Sequence, residues 1–466
     1  MTDHEDGTYT LEYEAKKMGD YFLAVRMDGE HIHESPFLIF IDHTDSDPQH
    51  CIADGKHDKG DGLASCVVGV DTGFVVSCAD RFGNKCSVGG DAISGELRGA
   101  KNVTVEVLDH QDGHYTCSYT AIWAGLYKLH VLLGDEDIEG SPFVIVAETA
   151  ALHPPSCYVH GNGVYSCVAG MESEFHVQCK DRYDNVRPYE DEIEVKISGP
   201  EKVAIQRRYL GDGQYDFFWT ANTSGQYEVD IQHAGQSLAS APYAVTVGPG
   251  IVYPINCIAT GTGLKEGVAG ETQIFRIQSR DKYGNNRTSG GDRFQINYSG
   301  PSPCEARMRD MEDGGYSVSW TALIKGTYWI EITLNGEEIS GSPYFCEIFP
   351  ADVDVAMCTA EGMGLLAVRT NNPSVFTIFS ADRFGNRLDT GGDPWEVSIM
   401  GAETVDDPDI QDNRDGTYTV TYTTQMKGNL QVFVGMRGRE LADCPFDVIS
   451  DNKLRRKEAM QMKEER

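Results

Sequence analysis

Residues 415–434 read DGTYTVTYTTQMKGNLQVFV, and four similar segments precede this one in the chain. They read DGTYTLEYEAKKMGDYFLAV at 6–25, DGHYTCSYTAIWAGLYKLHV at 112–131, DGQYDFFWTANTSGQYEVDI at 212–231 and DGGYSVSWTALIKGTYWIEI at 313–332. The leading aspartates, at positions 6, 112, 212, 313 and 415, are therefore 106, 100, 101 and 102 residues apart. A period of about 100 residues is the size of a whole domain. The sequence therefore predicts a series of copied domains.

Apolar and polar residues alternate inside each copied segment. In 313–320, Tyr316, Val318 and Trp320 fall on one face, and residues 327–334 alternate in the same way. A period of two residues indicates a half-buried strand. The DG dipeptide at the start of each segment favours a turn, because glycine adopts positive φ at little cost.

Four of the copies share further features upstream. Each begins with a cysteine, continues through a G-x-G pair and an acidic turn, and closes with a strand that starts at proline, a residue tolerated at strand starts. The cysteines are Cys51, Cys157, Cys257 and Cys358, and the turns are DRFGN at 80–84, DRYDN at 181–185, DKYGN at 281–285 and DRFGN at 382–386. Evenly spaced short strands, about seven per copy, predict two-sheet antiparallel β-sandwiches. Tyr119, Trp219, Trp320 and Tyr422 should be buried at equivalent positions.

The ordered set G-x-G-L, D-x-x-G-N, G-G-D, S-G-P, D-G-T-Y-x-V-x-Y, G-x-Y and G-S-P-F resembles the filamin (actin-binding protein 280) repeat over nearly the whole chain. The resemblance implies an all-β fold of tandem, immunoglobulin-like, seven-stranded sandwiches. Short linkers of constant length predict that they form an elongated row. Two copies depart from the pattern. Residues 188–192 read PYEDE where the others have G-G-D, and Gly95 stands where Ile296 points inward, which should loosen that strand.

The predicted domains follow the copies. Residues 1–45 form the C-terminal part of a repeat, full repeats cover 46–148, 149–248, 249–349 and 350–450, and residues 451–466 form a charged tail. An incomplete first repeat would leave sheet edges exposed. We therefore expect a piece of a longer protein or a truncated gene model, with strand donation by another chain as the alternative.

Composition narrows the class of protein. The formal net charge of −33 disfavours nucleic-acid partners and fits a solvated acidic surface or, alternatively, a docking face for a basic partner. The sequence shows no export signal and no apolar run long enough for membrane insertion. Thirteen cysteines without a CxxC motif are expected to be mostly reduced thiols, in a cytoplasmic, cytoskeletal protein.

No motif of catalysis is present. The sequence contains no GxSxG, HExxH or phosphate loop, so we expect no enzyme activity and no cofactor. The acidic turns lack the ligand spacing of an EF-hand and are interpreted as turns rather than as metal sites.

The resemblance also implies a binding function. In filamin-like repeats the strand after G-G-D lies at a sheet edge and accepts an extended peptide, from a receptor tail or a signalling protein, by β-augmentation. The alternative is an edge strand that serves only its own core. The candidate residues are Ile193, Val195, Ile197, Phe294, Ile296, Tyr298, Trp395, Val397 and Ile399.

The favoured function is a non-enzymatic cytoskeletal spacer and protein-interaction scaffold, with components of the actin cytoskeleton among its partners. Direct actin binding is not predicted, because the calponin-homology module of filamins is not in this sequence. An extracellular adhesion protein is one alternative, permitted by N-x-[ST] sequons at Asn102, Asn222, Asn286 and Asn297. A scaffold on microtubules or in a cilium is another, and the oligomeric state is left open.

Two cysteine pairs stand out when the copies are compared. Cys66 and Cys78 are 12 residues apart, as are Cys167 and Cys179, and in later copies both positions change together, to Gly267 with Ser279 and to Val368 with Ser380. Joint loss is expected of residues in contact, so each pair is predicted to lie within disulfide distance and to act as a redox latch. Two independent small buried residues are the alternative.

Overall fold

The computed structural model describes residues 1–58, 60–401, 405 and 407–452. The prediction of a solvated charged tail falls almost entirely on 453–466, outside the described residues. The chain divides into two compact units. The first comprises residues 1–167, 172–221 and 225–246, and the second comprises 168–171, 222–224 and the chain from residue 247 onwards.

The repeat at 249–349 shows the architecture of one sandwich. One sheet has four strands, in the order Ile258–Thr260, Gln273–Gln278, Gly315–Thr321 and Glu305–Asp310. The facing sheet has the order Glu266–Val268, Tyr344–Phe349, Gly326–Leu334 and Phe294–Ser299, with Glu337–Glu338 also paired to Gly326–Leu334. Short 3-10 helices at Pro254–Asn256 and Thr262–Leu264 flank the first strand. These strands confirm the predicted all-β sandwich.

The G-x-G pair explains why the first strand is split between the two sheets. A β-carbon at Gly261 would lie 2.7 Å from the Cα of Phe275, and one at Gly263 would lie 2.7 Å from the backbone nitrogen of Ile274. Only glycine allows this turn to pack directly on the neighbouring backbone. The repeat therefore has seven strand positions, with the first divided in two, plus the two-residue segment Glu337–Glu338.

The other repeats follow the same plan. In 46–148 the strands are Ile52–Asp54, Lys56–His57, Gly60–Asp61, Ser65–Val67, Thr72–Ser77, Ile93–Arg98, Val103–Thr104, Glu106–Asp109, His114–Tyr119, Gly125–Leu133, Glu136–Asp137 and Phe143–Glu148. In 149–248 they are Tyr158–His160, Ser166–Val168, Ser173–Gln178, Glu194–Ser198, Ile205–Gly211, Gln214–Trp219, Gly225–His233, Gln236–Ser237 and Tyr243–Gly248, with 3-10 helices Pro154–Ser156 and Asn162–Val164. In 350–450 they are Thr359–Glu361, Ala367–Val368, Ser374–Phe379, Glu396–Met400, Asp409–Asp412, Thr417–Tyr422, Gly428–Met436, Arg439–Glu440 and Phe446–Ser450, with 3-10 helices Val355–Met357 and Met363–Leu365.

Residues 1–45 contain only the later strands of a repeat. These are Thr2–Asp3, Tyr9–Thr10, Gly19–Leu23, Arg26–Met27, Glu30–His31 and Phe37–Ile41. Gly19–Leu23 pairs with Phe37–Ile41, but the inward-facing Tyr21 is 40% exposed, whereas Tyr328 at the equivalent position of a full repeat is completely buried. The described part of this segment therefore lacks the facing sheet that buries such side chains in the full repeats.

One large aromatic residue anchors each full sandwich. Tyr119, Trp219, Trp320 and Tyr422 are all buried, at 1–3% exposure, which confirms the prediction. Their polar atoms donate to the second glycine carbonyl of the G-x-G pair. The acceptors are the carbonyl oxygens of Gly62, Gly163, Gly263 and Gly364. The aromatic body fills the core while its polar end holds the split first strand in place.

Candidate functional site

Three of the predicted strands lie at the ends of their sheets. Glu194–Ser198, Phe294–Ser299 and Glu396–Met400 each pair with one neighbour, and no strand covers their other side in the described part of the chain. We call these three the open edge strands. Their free backbone groups are those that an added strand would use.

Side chains on the open edge strands alternate between core and solvent. Ile193, Phe294 and Trp395 are buried where the strands begin. The other predicted residues, Val195, Ile197, Ile296, Tyr298, Val397 and Ile399, are half-buried. All nine residues therefore pack toward their own cores, and the six half-buried side chains retain some exposed surface. Peptide binding at these strands stays a prediction.

The corresponding strand in the repeat 46–148 is covered by its own chain. Val103–Thr104 pairs with the outer edge of Ile93–Arg98, and the N–H of Val105 donates to the carbonyl of Gly95 at 2.9 Å. A β-carbon at Gly95 would lie 2.9 Å from Cγ2 of Val105. Val105 fills the space of the missing side chain and the strand is paired on both edges, so the expected loosening of this strand stays a prediction.

The acidic turns are more than local turns. In 382–386, Oδ1 of Asp382 accepts from the backbone N–H groups of Phe384 and Asn386, both at 2.9 Å. Oδ2 accepts from Nδ2 of Asn386 at 2.8 Å and from the linker N–H of Ala351 at 2.9 Å. Burial by itself raises the pKa of Asp382, but these hydrogen bonds outweigh burial and hold the pKa below its usual value.

The last residue of each acidic turn bonds to the preceding repeat. Nδ2 of Asn386 donates to the carbonyl of Leu323 at 2.8 Å, and its Oδ1 accepts from the N–H of Lys325 at 3.0 Å. The same two bonds join Asn84 to Lys16 and Met18, Asn185 to Ile122 and Ala124, and Asn285 to Asn222 and Ser224. This bridging role of the asparagine is not among the predictions made from the sequence. Its signal was present, because the asparagine is kept in all four turns while the second, third and fourth positions vary.

The cysteines show contacts that differ from the predicted pairs. All thirteen thiols are free. The interaction between the thiols of Cys51 and Cys78 lowers the pKa of Cys51 and raises that of Cys78, and the interaction between Cys157 and Cys179 likewise lowers the pKa of Cys157 and raises that of Cys179. Cys66 contacts the Tyr119 hydroxyl instead, and burial raises the pKa of Cys66 to about 11. Proximity of Cys66 to Cys78 and of Cys167 to Cys179 stays a prediction.

The described residues show neither a metal cluster nor a membrane-spanning helix. Among them, no group of three or more His, Cys, Asp or Glu side chains is arranged to hold a metal ion. Within the same residues, no helix has the length and apolar character needed to cross a membrane.

These features define a tandem-repeat protein of immunoglobulin-like sandwiches that meet through asparagine bridges. The chain belongs to the Filamin/ABP280 repeat family, whose pattern matches residues 1–38, 45–144, 151–244, 252–345 and 352–447.

Two curated relatives cover most of the chain. Filamin-C of Rattus norvegicus is 27% identical over 97% of the chain, and Filamin-A of Drosophila melanogaster is 25% identical over 89%. The chain spans only 16% and 18% of these two proteins. Among solved structures, the FdeC adhesin of Escherichia coli is 18% identical, with a TM-score of 0.48, and covers 65% of this chain and 98% of its own. A likeness of that size carries no information about function.

Proposed function

We propose that this chain is a non-enzymatic spacer and protein-interaction scaffold of the cytoskeleton, which docks extended peptides on its open edge strands. The matches to filamins support the cytoskeletal setting. The chain corresponds to less than a fifth of either filamin, so this function is proposed for a set of repeats and direct actin binding is not part of it.

The covered edge of the repeat 46–148 carries the proposal. Val103–Thr104 lies antiparallel on Ile93–Arg98, with Glu96 opposite Thr104 and Leu97 opposite Val103. This pairing shows that the outer side of the strand accepts another strand in ladder register. The open edge strands hold the same place in the other three sheets. An extended peptide would form the same ladder there.

The chemistry of the open edge strands suggests which peptides they accept. Half-buried apolar residues such as Ile296 and Val397 favour apolar side chains at every second position of the peptide. Exposed residues such as Glu194 and Glu396, together with the net charge of −33, favour basic residues in or beside the peptide.

Peptide selection followed by hydrogen–deuterium exchange tests the proposal. Random peptides displayed on phage are selected on the full chain, and synthetic copies of the selected peptides are then bound to it. We expect slower exchange at 194–198, 294–299 or 396–400 and no change at 93–98, where the edge is already covered. Selected peptides that protect only other parts of the chain, or a selection that yields no binder, would contradict the proposal.

The substitution Ile296→Asp provides the matched variant. A charge at this half-buried position should abolish protection of 294–299 while leaving 194–198 unchanged, because the two strands belong to different repeats. The exposed neighbour Gln295→Asp is the control, since its side chain points to solvent and its substitution should preserve binding.

A further inference from the structure

The third residue of each acidic turn is aromatic, and in the last three turns it packs on the preceding repeat. Tyr183 contacts the hydrophobic core of the repeat 46–148, and Phe384 contacts the core of the repeat 249–349. Each ring covers a glycine of that repeat. A β-carbon at Gly69 would lie 2.0 Å from the hydroxyl oxygen of Tyr183, and one at Gly270 would lie 2.3 Å from Cζ of Phe384.

The glycine that the ring covers occupies the same structural position in each of these repeats. Gly69 has φ +78° and donates its N–H to the carbonyl of Ala121 at 2.7 Å. Gly270 has φ +77° and donates to Ala322 at 2.8 Å. We call this position the socket glycine. In the second unit, Gly170 with φ +76° has the same relation to Tyr283, since a β-carbon there would lie 2.1 Å from the ring.

The repeat 350–450 has no glycine at this position. Asn371 donates its N–H to the carbonyl of Thr424 at 2.7 Å and has φ +59°, so it occupies the place of the socket glycine. Asparagine tolerates positive φ better than most residues, so the backbone of the turn is kept. Its β-carbon and carboxamide, however, stand where the aromatic ring of a following repeat would pack.

We propose that the socket position decides whether a repeat docks its successor. Glycine admits the aromatic residue of the next acidic turn, and Asn371 closes the socket of the repeat 350–450. Docked junctions combine three elements, namely the ring on the socket glycine, the two bonds of the turn asparagine, and the bond from the turn aspartate to the linker. A domain joined after the repeat 350–450 would lack the first element and would not be held in this way.

The test introduces asparagine, the residue at position 371, at the socket glycine Gly270 of the full chain. In Gly270→Asn the side chain should displace Phe384 and break the bond between the Lys325 N–H and Asn386. We expect hydrogen–deuterium exchange of the segment containing Lys325 to become on the order of tenfold faster. Phe384→Ala removes the ring without altering the socket and should give the same change.

Two controls separate docking from folding. Asn371→Gly alters the same turn in a repeat where, among the described residues, no aromatic ring of a following repeat is packed, so exchange at Lys325 should not change. Exchange within Gly315–Thr321 should stay slow in Gly270→Asn, which shows that the repeat itself remains folded. If both Gly270→Asn and Phe384→Ala leave exchange at Lys325 unchanged, the proposal is wrong. Equal acceleration at Lys325 and in Gly315–Thr321 would also overturn it, because the effect would then be unfolding of the repeat.

Discussion

The backbone N–H of Ala124 donates to the side-chain Oδ1 of Asn185 at 2.9 Å, across a junction between two repeats of the first unit. The Nδ2 of Asn185 completes the bridge with a 3.0 Å bond to the carbonyl of Ile122 and also contacts the carboxylate of Asp181. The buried side-chain amide of Asn185 therefore forms hydrogen bonds with polar groups of both repeats.

Asn185→Asp should open the junction. The substitution keeps the shape of the side chain, but it removes the donor to Ile122 and places a second carboxylate beside Asp181. We expect the local opening free energy at Ala124, measured by native-state hydrogen exchange, to fall by about 1–3 kcal/mol. Asn372→Asp, at an exposed position, is the control and should leave it unchanged. Unaltered exchange at Ala124 in Asn185→Asp would show that the bridge contributes little.

Acid should weaken the junction at Asp382. Its pKa is lower in the folded protein than the ordinary value of 3.8. A carboxyl group of this kind stabilises the fold above its unfolded pKa, and the contribution is lost as the pH falls through the folded pKa. We therefore expect protection at Ala351 to be constant near neutral pH and to decline below about pH 4. Asp382→Asn should reduce protection at neutral pH and flatten this decline. An identical pH profile in the variant would contradict the assignment.

Removal of a single hydroxyl should have opposite consequences in two repeats. Tyr119→Phe deletes the bond to the Gly62 carbonyl and leaves that buried oxygen unpaired, which should lower the stability of its repeat by about 1–2 kcal/mol. The buried hydroxyl of Tyr298 has no hydrogen-bond partner among the described residues, so Tyr298→Phe should be neutral or slightly stabilising. Exchange of the slowest core amides in each repeat measures both effects. Equal losses in the two variants would refute the distinction.

Gly95→Val should uncover the edge of the repeat 46–148. Valine is the residue at the equivalent position 195, and its side chain would collide with Val105. We expect the amide of Val105, which donates to Gly95, to exchange faster, and the edge at 93–98 to become available to the peptides selected on the other repeats. Val195→Gly is the reciprocal control. Removing this side chain should leave the outer edge of Glu194–Ser198 uncovered. Slow exchange at Val105 in the Gly95→Val variant would show that the cover tolerates a side chain.

Oxidation should distinguish the two cysteine arrangements. Added diamide is expected to link Cys51 to Cys78 and Cys157 to Cys179, because these thiols contact each other. Peptide mapping by mass spectrometry identifies the links. The repeats with Ser279 and Ser380 in the place of the second thiol are internal controls and should form no such link. Recovery of Cys66–Cys78 and Cys167–Cys179 links instead would support the pairing predicted from the sequence.

The fold was predictable because its signals are local and repeated. Alternation in segments such as 313–320 fixed the strands, and the recurrence of a buried aromatic at Trp320 identified the core. The covered edge was not predictable by the same reasoning. It depends on one absent side chain, Gly95, which by itself indicates a weak strand, and on Val105, which lies ten residues later and supplies the missing contact.

The junctions escaped prediction for a related reason. Aspartate and asparagine are common in turns, so a turn alone is enough to explain Asp382 and Asn386 in the sequence. Nothing in the local sequence therefore indicates that these residues also bond to Ala351 and Leu323. The predicted cysteine pairs rest on positions that change together, whereas Cys51 has a cysteine at its equivalent position in every full copy and therefore never changes with Cys78. A comparison of the copies can detect two contacting residues only if both of them vary. A contact in which one partner is the same in every copy produces no joint variation and is therefore not detected.

Parallel pairing of the first and last strands has a mechanical consequence. In the repeat 249–349, Glu266–Val268 runs parallel to Tyr344–Phe349, and Ser65–Val67 is parallel to Phe143–Glu148 in the same way. When the two ends of such a repeat are pulled apart, the forces on these strands are opposed along their length. Their hydrogen bonds are then sheared together instead of being opened one after another. Tension transmitted along the chain would therefore meet its resistance inside each sandwich, between the second half of the first strand and the last strand.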